Sequence, residues 1–543
     1  MAWQGENFGY AIKAVAQAVE PDRPALIHGD RVVSWGEFDA STDGIAAGLA
    51  GRGLGPGDVA GQMLRNTPEY MLAYFGCAKA GVTPVNVNYH YKDRELVDIF
   101  ARFGLKALFA NSEYAEAGAR AMPEGALAPF VAEPCDAGWE ALCASEIGPD
   151  FAVCDDRDCM FFMATGGTTG MPKAVMWPFG AAWEALGIAS WSPSPLVPPE
   201  IATSLEEHAA IAARQVPGHP ESQAPFMPLC PLMHGTAQYS AVNHLLKGGT
   251  LVTLPMESFD AHLAIDTIRD RQVRALVIVG DAHAMPLLKA LDARADAAEA
   301  IASLRLVGSS GALFSLSHKE RLVELNPELV VSDVLGSSES GGTALRVTTK
   351  DGTLGGGDFI AVPDRGMTLF DENLNEIPMG TEGVGIVVRS GPLPLGYLGE
   401  DEKNAQTFPV IGGKRYLMTG DRARWNPDGT LDFIGRDNMC INTGGEKVFP
   451  EEVETVLQAH PHVKDVRVVS LPDPRFGRKV VAVVQPEGSA EGLDALLDAD
   501  ARASLAGYKI PRLYVFTQRS LRLNNGKPDY KAAQAIADEA EAG

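Results

Sequence analysis

The sequence predicts an α/β protein with a large N-terminal domain of layered sheets and helices, a small β-rich subdomain within it, and a small α+β domain at the C-terminal end. The chain has 543 residues, and at about 150 residues per domain this length predicts several folding units. Up to residue 435, short β-branched runs alternate with Ala- and Leu-rich amphipathic stretches. This alternation is typical of α/β layers with parallel strands. The pattern changes after Arg436, and we therefore expect domains over 1–436 and 437–543.

One part of the N-terminal domain illustrates the alternation. LVTLP at 251–255 is predicted as a strand, residues 260–271 have helical spacing, and ALVIVG at 275–280 is predicted as the next strand. Residues 192–225 differ, because proline clusters flank a helical patch at 203–216. We expect a surface excursion there, which is either a cover over a pocket or a variable insertion.

The last third of the chain contains two smaller units. Glycine turns between short strands predict a small β-rich unit over 351–435. Beyond Arg436 we predict a compact α+β domain of about 105 residues. Its predicted elements are a helix over Pro450–His460, a strand over Val463–Leu471, a strand over Lys479–Gln485 and a helix over Glu491–Leu505.

The composition argues against several classes of protein. The chain carries 46 Lys+Arg against 70 Asp+Glu, a formal net charge of −24, and so acidic a surface repels nucleic acid. No apolar run reaches the about 18–20 residues that a membrane span requires, and the N-terminus lacks a signal-peptide pattern, so we expect no transmembrane segment. The 7 cysteines form no CxxC pair, which argues against a zinc site or a disulfide framework. We therefore expect free thiols in a cytoplasmic protein.

A glycine-rich segment carries the clearest chemistry. The apolar run FFMA at 161–164 leads into TGGTTGMPK at 165–173. Glycines let backbone N–H groups approach an anion closely, while threonine hydroxyls and a lysine add donors and charge. The spacing is not that of a Walker loop, because Met-Pro separates Gly170 from Lys173. The alternative to a phosphate loop is a mobile Gly/Thr turn.

TGGTTGMPK resembles the phosphate loop of the adenylate-forming superfamily, which includes acyl-CoA synthetases, luciferases and the adenylation domains of peptide synthetases. Other motifs of that superfamily follow in order over almost the whole chain. They are PLMHG at 231–235, LGSSE at 335–339, TGD at 419–421, GR at 435–436, NTGGEK at 442–447 and NGK at 525–527. Taken singly, TGD and NGK are also typical of plain turns. Their joint order identifies the chain as a member of this superfamily.

The resemblance implies a role for each motif. Attack of a carboxylate on the α-phosphate of ATP brings two anions together, so the site needs preorganised donors and cations. Lys527 is expected between the two anions, and Glu339 with Thr165 is expected to bind Mg²⁺. Asp421 is expected to accept both ribose hydroxyls. His234 is expected beside the carboxylate pocket, with a plain core histidine as the alternative.

The remaining expected contacts surround ATP and coenzyme A. The threonines and the lysine of the glycine-rich segment are expected to hold the β- and γ-phosphates, and a later glycine pair is expected to let a pantetheine arm pass close to the backbone. The residues expected to bind nucleotide or coenzyme A are Thr165, Gly166, Gly167, Thr168, Thr169, Gly170, Lys173, Ser310, Gly311, Ala312, Leu335, Gly336, Ser337, Ser338, Asp421, Arg436, Gly444, Gly445 and Lys527.

The resemblance also implies that the small domain is mobile. After adenylation it is expected to rotate at a hinge, Asn438 or Asp437, so that Lys527 leaves and the loop with the glycine pair forms the thiol channel.

Several positions depart from the superfamily pattern, among them Ala174, which stands where a glycine generally follows the lysine of the glycine-rich segment. Leu335 stands where most relatives have a tyrosine that stacks on adenine. Asn442 stands where luciferases have a second lysine, which argues against that branch.

The substrate prediction rests on longer stretches. MATGGTTGMPKAVMW, PLMHGTAQ and INTGGEKVFPEEVE resemble the bacterial fatty-acyl and sterol side-chain acyl-CoA ligases of steroid and lipid breakdown. That resemblance implies an acyl pocket lined near Met233–Gln238, Gly280–His283 and Ser309–Leu313. These stretches offer no Arg or Lys to a second carboxylate, which fits an apolar monocarboxylic acid.

The resemblance therefore predicts an acid–thiol ligase that converts a carboxylic acid, ATP and coenzyme A into acyl-CoA, AMP and pyrophosphate. The predicted acid is a medium- or long-chain fatty acid or a sterol side-chain acid. Three alternatives stay open: an aryl- or cinnamate-type CoA ligase, an acyl-AMP ligase that loads a carrier protein, and a non-catalytic nucleotide-binding regulator. The expected cofactors and partners are ATP, Mg²⁺, coenzyme A and a small carboxylic acid, with a homodimer as one open oligomeric state.

Overall fold

The computed structural model describes residues 3, 5–149, 151–165, 172–191, 199–214, 224–354, 359–362, 366–436, 439–443, 446–473, 477–523 and 526–542. Its helices are α1 (Phe8–Ala18), α2 (Trp35–Ala50), α3 (Pro68–Ala80), α4 (Asp93–Phe103), α5 (Ser112–Ala121), α6 (Ala137–Cys143), α7 (Phe179–Ala185), α8 (Leu205–Ala213), α9 (Gly235–Leu246), α10 (Ala261–Asp270), α11 (Gly280–Asp292), α12 (Ala297–Ala300), α13 (Leu316–Leu325), α14 (Asp401–Thr407), α15 (Pro450–Gln458), α16 (Leu493–Ser504) and α17 (Tyr530–Ala542).

Its strands are β1 (Pro24–His28), β2 (Arg31–Ser34), β3 (Val59–Met63), β4 (Thr83–Asn86), β5 (Leu105–Ala110), β6 (Phe130–Val131), β7 (Met160–Thr165), β8 (Lys173–Pro178), β9 (Ser190–Trp191), β10 (Glu200–Ile201), β11 (Pro225–Pro228), β12 (Thr250–Thr253), β13 (Ala275–Ile278), β14 (Leu306–Ser310), β15 (Val330–Ser337), β16 (Gly341–Thr349), β17 (Gly352–Thr353), β18 (Ile360–Ala361), β19 (Met367–Phe370), β20 (Glu376–Ile377), β21 (Gly383–Arg389), β22 (Gly396–Tyr397), β23 (Val410–Ile411), β24 (Lys414–Arg415), β25 (Leu417–Trp425), β26 (Leu431–Arg436), β27 (Ile441–Thr443), β28 (Glu446–Val448), β29 (Val463–Asp473), β30 (Gly477–Pro486) and β31 (Leu513–Phe516).

The first large sheet has the strand order β17-β16-β15-β14-β13-β11-β12-β1-β2, with β18 on β16. From β15 to β1 neighbouring strands are parallel, as the alternation of strands and helices predicted. Antiparallel strands are added at both edges. The run ALVIVG departs from the prediction, because its strand ends at Ile278 and α11 begins at Gly280. A φ of +46° at Gly280 turns the chain in a conformation that favours glycine.

The second large sheet has the order β22-β8-β7-β4-β3-β5-β6. Its strands from β7 to β6 are parallel, whereas β8 returns antiparallel to β7. The connection between Thr165 and Lys173 is too short for a crossover, so it closes a hairpin. Thr165 and Lys173, the described ends of the glycine-rich segment, therefore lie at the carboxyl end of the parallel strands, where ligands of α/β sheets bind.

The main core joins the two large sheets. Every residue of α3 is buried, and the largest apolar cluster contains side chains of both sheets together with α1, α3 and α9. The two sheets therefore belong to one domain, and residues at the ends of their strands meet between them.

Helix α8 is the described part of the excursion at 192–225. It packs against α1, and Nε2 of His208 lies 2.8 Å from the carbonyl oxygen of Leu246. Residues 192–198 and 215–223 lie outside the described residues. The helix itself is thus a packed element of the large domain and not a cover over a pocket.

The predicted β-rich unit is a five-stranded sheet of order β20-β19-β21-β25-β26, with its own apolar core around Leu369, Trp425 and Leu431. In the small domain, the sheet β29-β30-β31 packs against α15 and α17. Its helices and strands lie within a few residues of the predicted ones, and its core draws on residues from Ile441 to Ala537. The boundary between 436 and 437 stays a prediction, since 437–438 lie outside the described residues.

Candidate active site

The two ends of the glycine-rich segment face each other. Thr165 and Lys173 are paired in register across β7 and β8, and Oγ1 of Thr165 donates a 3.4 Å hydrogen bond to the carbonyl of Lys173. Lys173 is thus the first residue of a strand and not a loop residue. The residues between them that the sequence selected, Gly166, Gly167, Thr168, Thr169 and Gly170, lie outside the described residues.

Lys173 forms part of a charged cluster that the motifs did not indicate. Its Nζ lies 3.4 Å from Oε2 of Glu400, and Arg102 from α4 also forms an ion pair with Glu400. Burial lowers the pKa of Lys173, and Lys403 and Arg102 lower it further. Three cations thus lie close together here, paired with or next to the acidic residues at the start of α14.

Tyr397 contacts both Glu339 and Lys173 and so links the two residues. Oη of Tyr397 donates a 2.8 Å hydrogen bond to Oε1 of Glu339, and the ring centroid of Tyr397 lies 5.6 Å from Nζ of Lys173. The turn that carries Glu339 is fixed at Ser338, whose carbonyl accepts hydrogen bonds from Trp177 at 2.9 Å and Tyr239 at 2.8 Å. The strand before this turn, β15, contains Leu335, Gly336 and Ser337.

Two asparagines that sequence reasoning missed hold the surrounding segments. Nδ2 of Asn86, at the end of β4, donates to the carbonyls of Ala164 at 3.0 Å and Met233 at 2.6 Å, and its Oδ1 accepts from the amide of Ala164 at 2.7 Å. Asn66 accepts from the amide of Leu232 at 2.7 Å and donates to the carbonyl of Cys230 at 3.0 Å. Buried Asn86 and half-buried Asn66 thus fix the PLMHG segment beside β7, the strand that leads to the glycine-rich segment. A lone asparagine gives no signal in a single sequence.

His234, the fourth residue of the PLMHG segment, occupies the N-cap position of α9 without a capping hydrogen bond from its side chain. Burial lowers the pKa of His234 to about 3, and the positive charge of Lys527 contributes, so the ring is neutral at physiological pH. Its Nε2 is buried and has no hydrogen-bond partner among the described residues. A β-carbon placed on the next residue, Gly235, would lie 3.5 Å from Oγ of Ser338. The start of α9 therefore touches the turn that carries Glu339.

Lys527 approaches the same place from the small domain. A β-carbon placed on Gly311 would lie 3.9 Å from Cε of Lys527 and 3.8 Å from Oγ1 of Thr236. The turn before Lys527 also packs on α11, because a β-carbon on Gly526 would lie 2.9 Å from Cβ of Ala282. The structure thus places Lys527 beside Gly311 and close to Thr236 at the start of α9, while the catalytic role of Lys527 stays a prediction.

Asp421 and Arg436 are opposite each other on β25 and β26. Asp421 is buried, and the hydroxyl of Thr419 donates a hydrogen bond to its Oδ2. Of Arg436 the structure describes the backbone alone, and Gly444 and Gly445 lie outside the described residues. The strands on either side of that glycine pair, β27 and β28, are paired.

A comparison with known proteins identifies the family. The family of AMP-binding enzymes matches residues 13–398, and the C-terminal domain of AMP-binding enzymes matches residues 452–527. The chain belongs to the AMP-binding enzyme family. This confirms the adenylate-forming superfamily that the ordered motifs predicted.

Relatives of this AMP-binding enzyme match it from end to end. A medium/long-chain-fatty-acid–CoA/3-oxocholest-4-en-26-oate–CoA ligase of Mycobacterium marinum is 36% identical and covers 97% of this chain and 94% of its own length. A 3-oxocholest-4-en-26-oate–CoA ligase of Rhodococcus rhodochrous is 36% identical, with 95% and 93% covered.

The fold agrees with a solved structure of the same kind. The crystal structure of the anthranilate CoA ligase AuaEII with anthranoyl-AMP superposes with a TM-score of 0.81 at 18% identity, covering 98% of both chains. At that identity the likeness shows the two-domain fold alone. Among the described residues, no helix is long and apolar enough to cross a membrane.

Proposed function

We propose that this AMP-binding enzyme is an ATP-dependent acyl-CoA ligase that converts a medium- or long-chain fatty acid, or a sterol side-chain acid, into acyl-CoA with release of AMP and pyrophosphate. The observation that carries the proposal is that whole-length relatives bear the names of such ligases. The approach of Lys527 to Gly311 and Thr236, and of Gly235 to Ser338, supports it.

The first half-reaction needs positive charge at two places. A carboxylate oxygen attacks the α-phosphorus of ATP, and pyrophosphate leaves with its electron pair, so negative charge grows on the phosphoryl oxygens. Lys527, beside Gly311, would neutralise the two anions as they meet. Lys173 would hold the leaving pyrophosphate once its pairing with Glu400 yields to the phosphates.

The donor set of the site fits Mg²⁺. Glu339 and Thr165 offer a carboxylate and a hydroxyl oxygen, which a hard cation prefers. The described residues contain no group of three or more His, Cys, Asp or Glu placed to hold a metal, so phosphate and water oxygens would complete the coordination, as is usual for Mg²⁺. When bound, the ion would supply positive charge to the phosphate oxygens.

Two further contacts would orient the nucleotide and the acid. Asp421, oriented by Thr419, can accept both ribose hydroxyls with one carboxylate. His234 is neutral, so it would border the carboxylate pocket without adding charge there. Leu335 stands where a tyrosine would supply a flat aromatic surface for adenine. It would offer the base an aliphatic surface instead.

The second half-reaction transfers the acyl group to sulfur. The thiolate of coenzyme A attacks the acyl carbon, AMP leaves, and the proton of the thiol is released to solvent. For this step we propose that the small domain rotates at Asp437 or Asn438, withdraws Lys527 and brings Gly444 and Gly445 beside the pantetheine arm. The glycine pair supports this role, because backbone without side chains lets a ligand pass closely.

The acid is proposed to be apolar. Met233, just before α9, and Ala237 and Gln238 in its first turn are buried. The segments 280–283 and 309–313 contain no Lys or Arg. These segments themselves therefore offer no cation to a second carboxylate on the substrate, and the nearby Lys527 is assigned to the reacting carboxylate. We also propose a cytoplasmic location, supported by seven free cysteines. The homodimer stays a prediction.

The proposal is tested by AMP release from Mg-ATP with a panel of acids: short, medium and long fatty acids, cinnamates, and cholestenoic-type acids, each with and without coenzyme A. We expect AMP release that depends on coenzyme A with long fatty acids or cholestenoic-type acids. Turnover restricted to cinnamates would favour an aryl ligase. Adenylate formation that ignores coenzyme A would favour a carrier-protein acceptor, and ATP binding without AMP release from any acid would favour a non-catalytic regulator.

A further inference from the structure

The turn that carries Lys527 is held by one arginine. Nη1 of Arg522 donates a 3.1 Å hydrogen bond to the carbonyl oxygen of Gly526, the residue directly before Lys527. The turn closes on itself as well, since the amide of Leu523 donates to the carbonyl of Lys527 at 2.9 Å and the amide of Gly526 to that of Leu523 at 2.9 Å. Arg522 therefore directly precedes the turn, and its side chain bonds the carbonyl of Gly526 near the other end.

Arg522 is itself anchored to the sheet of the small domain. Its Nε lies 2.8 Å from Oδ2 of Asp465, and its Nη2 donates to Oδ1 of the same carboxylate at 3.0 Å. The side chains of Asp465 and Arg522 are 5% and 15% exposed. A forked, partly buried contact of this kind fixes the orientation of the guanidinium as well as its position.

A second layer fixes Asp465. Its Oδ1 also lies 2.9 Å from Nη2 of Arg467, and Arg467 lies 3.8 Å from Oε2 of Glu454. Glu454 accepts a 2.8 Å hydrogen bond from the amide of Val468. The four side chains carry two positive and two negative charges, so the buried cluster is neutral overall and each charge has a partner.

The cluster reaches the large domain through the turn. Gly526 packs against Ala282, and the positive charge of Arg522 contributes to the lowered pKa of His283 on the same helix, which burial dominates. A shift of Arg522 would therefore move the turn relative to the surface on which Lys527 has to be placed.

We propose that Arg522 is the positioning residue for Lys527: clamped by Asp465, it holds the carbonyl of Gly526 and so presents the Lys527 ammonium to the large domain. The proposal rests on the proposed role of Lys527 in adenylation. The guanidinium of Arg522 is engaged by Asp465 and the carbonyl of Gly526, so we expect its effect to be confined to the half-reaction in which Lys527 is in place.

The test measures the two half-reactions separately in the full chain. Adenylate formation is followed by burst-phase pyrophosphate release with the acid that gives the highest turnover in the panel, and thioester formation is followed with that acid's chemically prepared adenylate and coenzyme A. We expect R522A to slow adenylate formation about 10- to 100-fold and to leave thioester formation within about twofold of the wild type. R522K keeps the charge but loses the planar fork. We expect its rate of adenylate formation to lie between those of R522A and the wild type.

The controls separate positioning from stability. R519A removes an exposed arginine of the same domain, which pairs with Glu539 at 2.6 Å, and is expected to change neither half-reaction. If R522A does not fold, R522K decides, with its thermal midpoint measured alongside. Equal losses in both half-reactions, or unchanged adenylation in a folded variant, would overturn the positioning role. K527A is measured in parallel. If K527A forms adenylate as fast as the wild type, the role of Lys527 is overturned and the proposal with it. If adenylate formation falls in K527A but not in R522A, only the role of Arg522 is overturned.

Discussion

Tyr397 donates a 2.8 Å hydrogen bond from its phenol to Oε1 of Glu339, while its ring lies 5.6 Å from the ammonium of Lys173. One side chain thus contacts both the acidic and the basic residue expected around the triphosphate. Because the phenol bonds one carboxylate oxygen, it restricts the orientation of the Glu339 carboxylate. The relative position of Lys173 and Glu339, which lie on different motifs, is set in part by this tyrosine.

Replacing Tyr397 by phenylalanine should weaken metal binding. Y397F keeps the ring but removes the hydrogen bond to the Glu339 carboxylate, and bonds to charged groups contribute about 1.5–3 kcal/mol. We expect the Mg²⁺ concentration at half-maximal AMP release to rise about tenfold or more. The matched control is Y508F, since Tyr508 is exposed on the small domain. Unchanged Mg²⁺ dependence in Y397F would show that the phenol does not orient the carboxylate.

Neutralising Glu400 should strengthen product inhibition. Glu400 pairs with Lys173 at 3.4 Å and also with Arg102, so it competes with phosphate for both cations. We expect E400Q to be inhibited by pyrophosphate at concentrations about two- to fivefold lower than the wild type. E402Q, on an exposed residue of the same helix, is the control. Equal or weaker inhibition of E400Q would mean that Glu400 serves to place Lys173 and does not compete for it.

A methyl group on Gly526 should displace the lysine turn. Gly526 has a φ of +79° and its β-carbon would lie 2.9 Å from Cβ of Ala282, so G526A adds both backbone strain and a clash. We expect adenylate formation to fall at least about tenfold while thioester formation from supplied adenylate is kept. G492A is the matched control, because Gly492 has a φ of +72° and open space around it. Equal losses in G526A and G492A would point to strain alone.

The packing of α8 should make stability depend on pH. The ring of His208 lies among Trp3, Trp183 and Trp191, and burial lowers its pKa from 6.5 to about 4. The neutral ring is favoured by folding, so this stabilisation is complete above pH 6.5 and is lost as the pH falls toward 4. Between pH 7.5 and 5.0 we expect His208 to account for about 2 kcal/mol of lost stability.

Urea unfolding at the two pH values measures that loss. H208Q, which cannot take up a proton, should lower stability at pH 7.5 but show a smaller decrease between the two pH values. H262Q, at an exposed histidine, should keep the wild-type dependence. A pH dependence that is the same in H208Q and the wild type would contradict a buried neutral ring.

The sequence was most informative where chemistry is concentrated in a few neighbouring residues. TGGTTGMPK, LGSSE and NGK identified the family and selected Lys173, Glu339 and Lys527 as candidates, whose roles stay predictions; the structure links Lys173 to Glu339 through Tyr397 and places Lys527 beside Gly311. Strand and helix patterns placed the elements of the small domain within a few residues, because alternating and helical periodicities are local properties. The error at ALVIVG arose because Gly280 turns the chain, and periodicity does not register backbone conformation.

The residues that sequence reasoning missed act across long separations. Asn86 joins Ala164 to Met233, Tyr397 bonds Glu339, and Arg102 meets Glu400. None belongs to a motif with spacing of its own, so one sequence gives no reason to pair them. Such contacts follow from the tertiary arrangement of the sheets, which periodicity alone does not fix.

The central claim is that this chain forms an acyl adenylate with Lys527 as the cation between the acid and the α-phosphate. The most direct measurement is the exchange of labelled pyrophosphate into ATP in the absence of coenzyme A, with and without the preferred acid, for the wild type and K527A. The account predicts exchange that depends on the acid in the wild type and falls about 100-fold or more in K527A. Exchange that persists in K527A, or acyl-CoA formation by the wild type without any exchange, would contradict it.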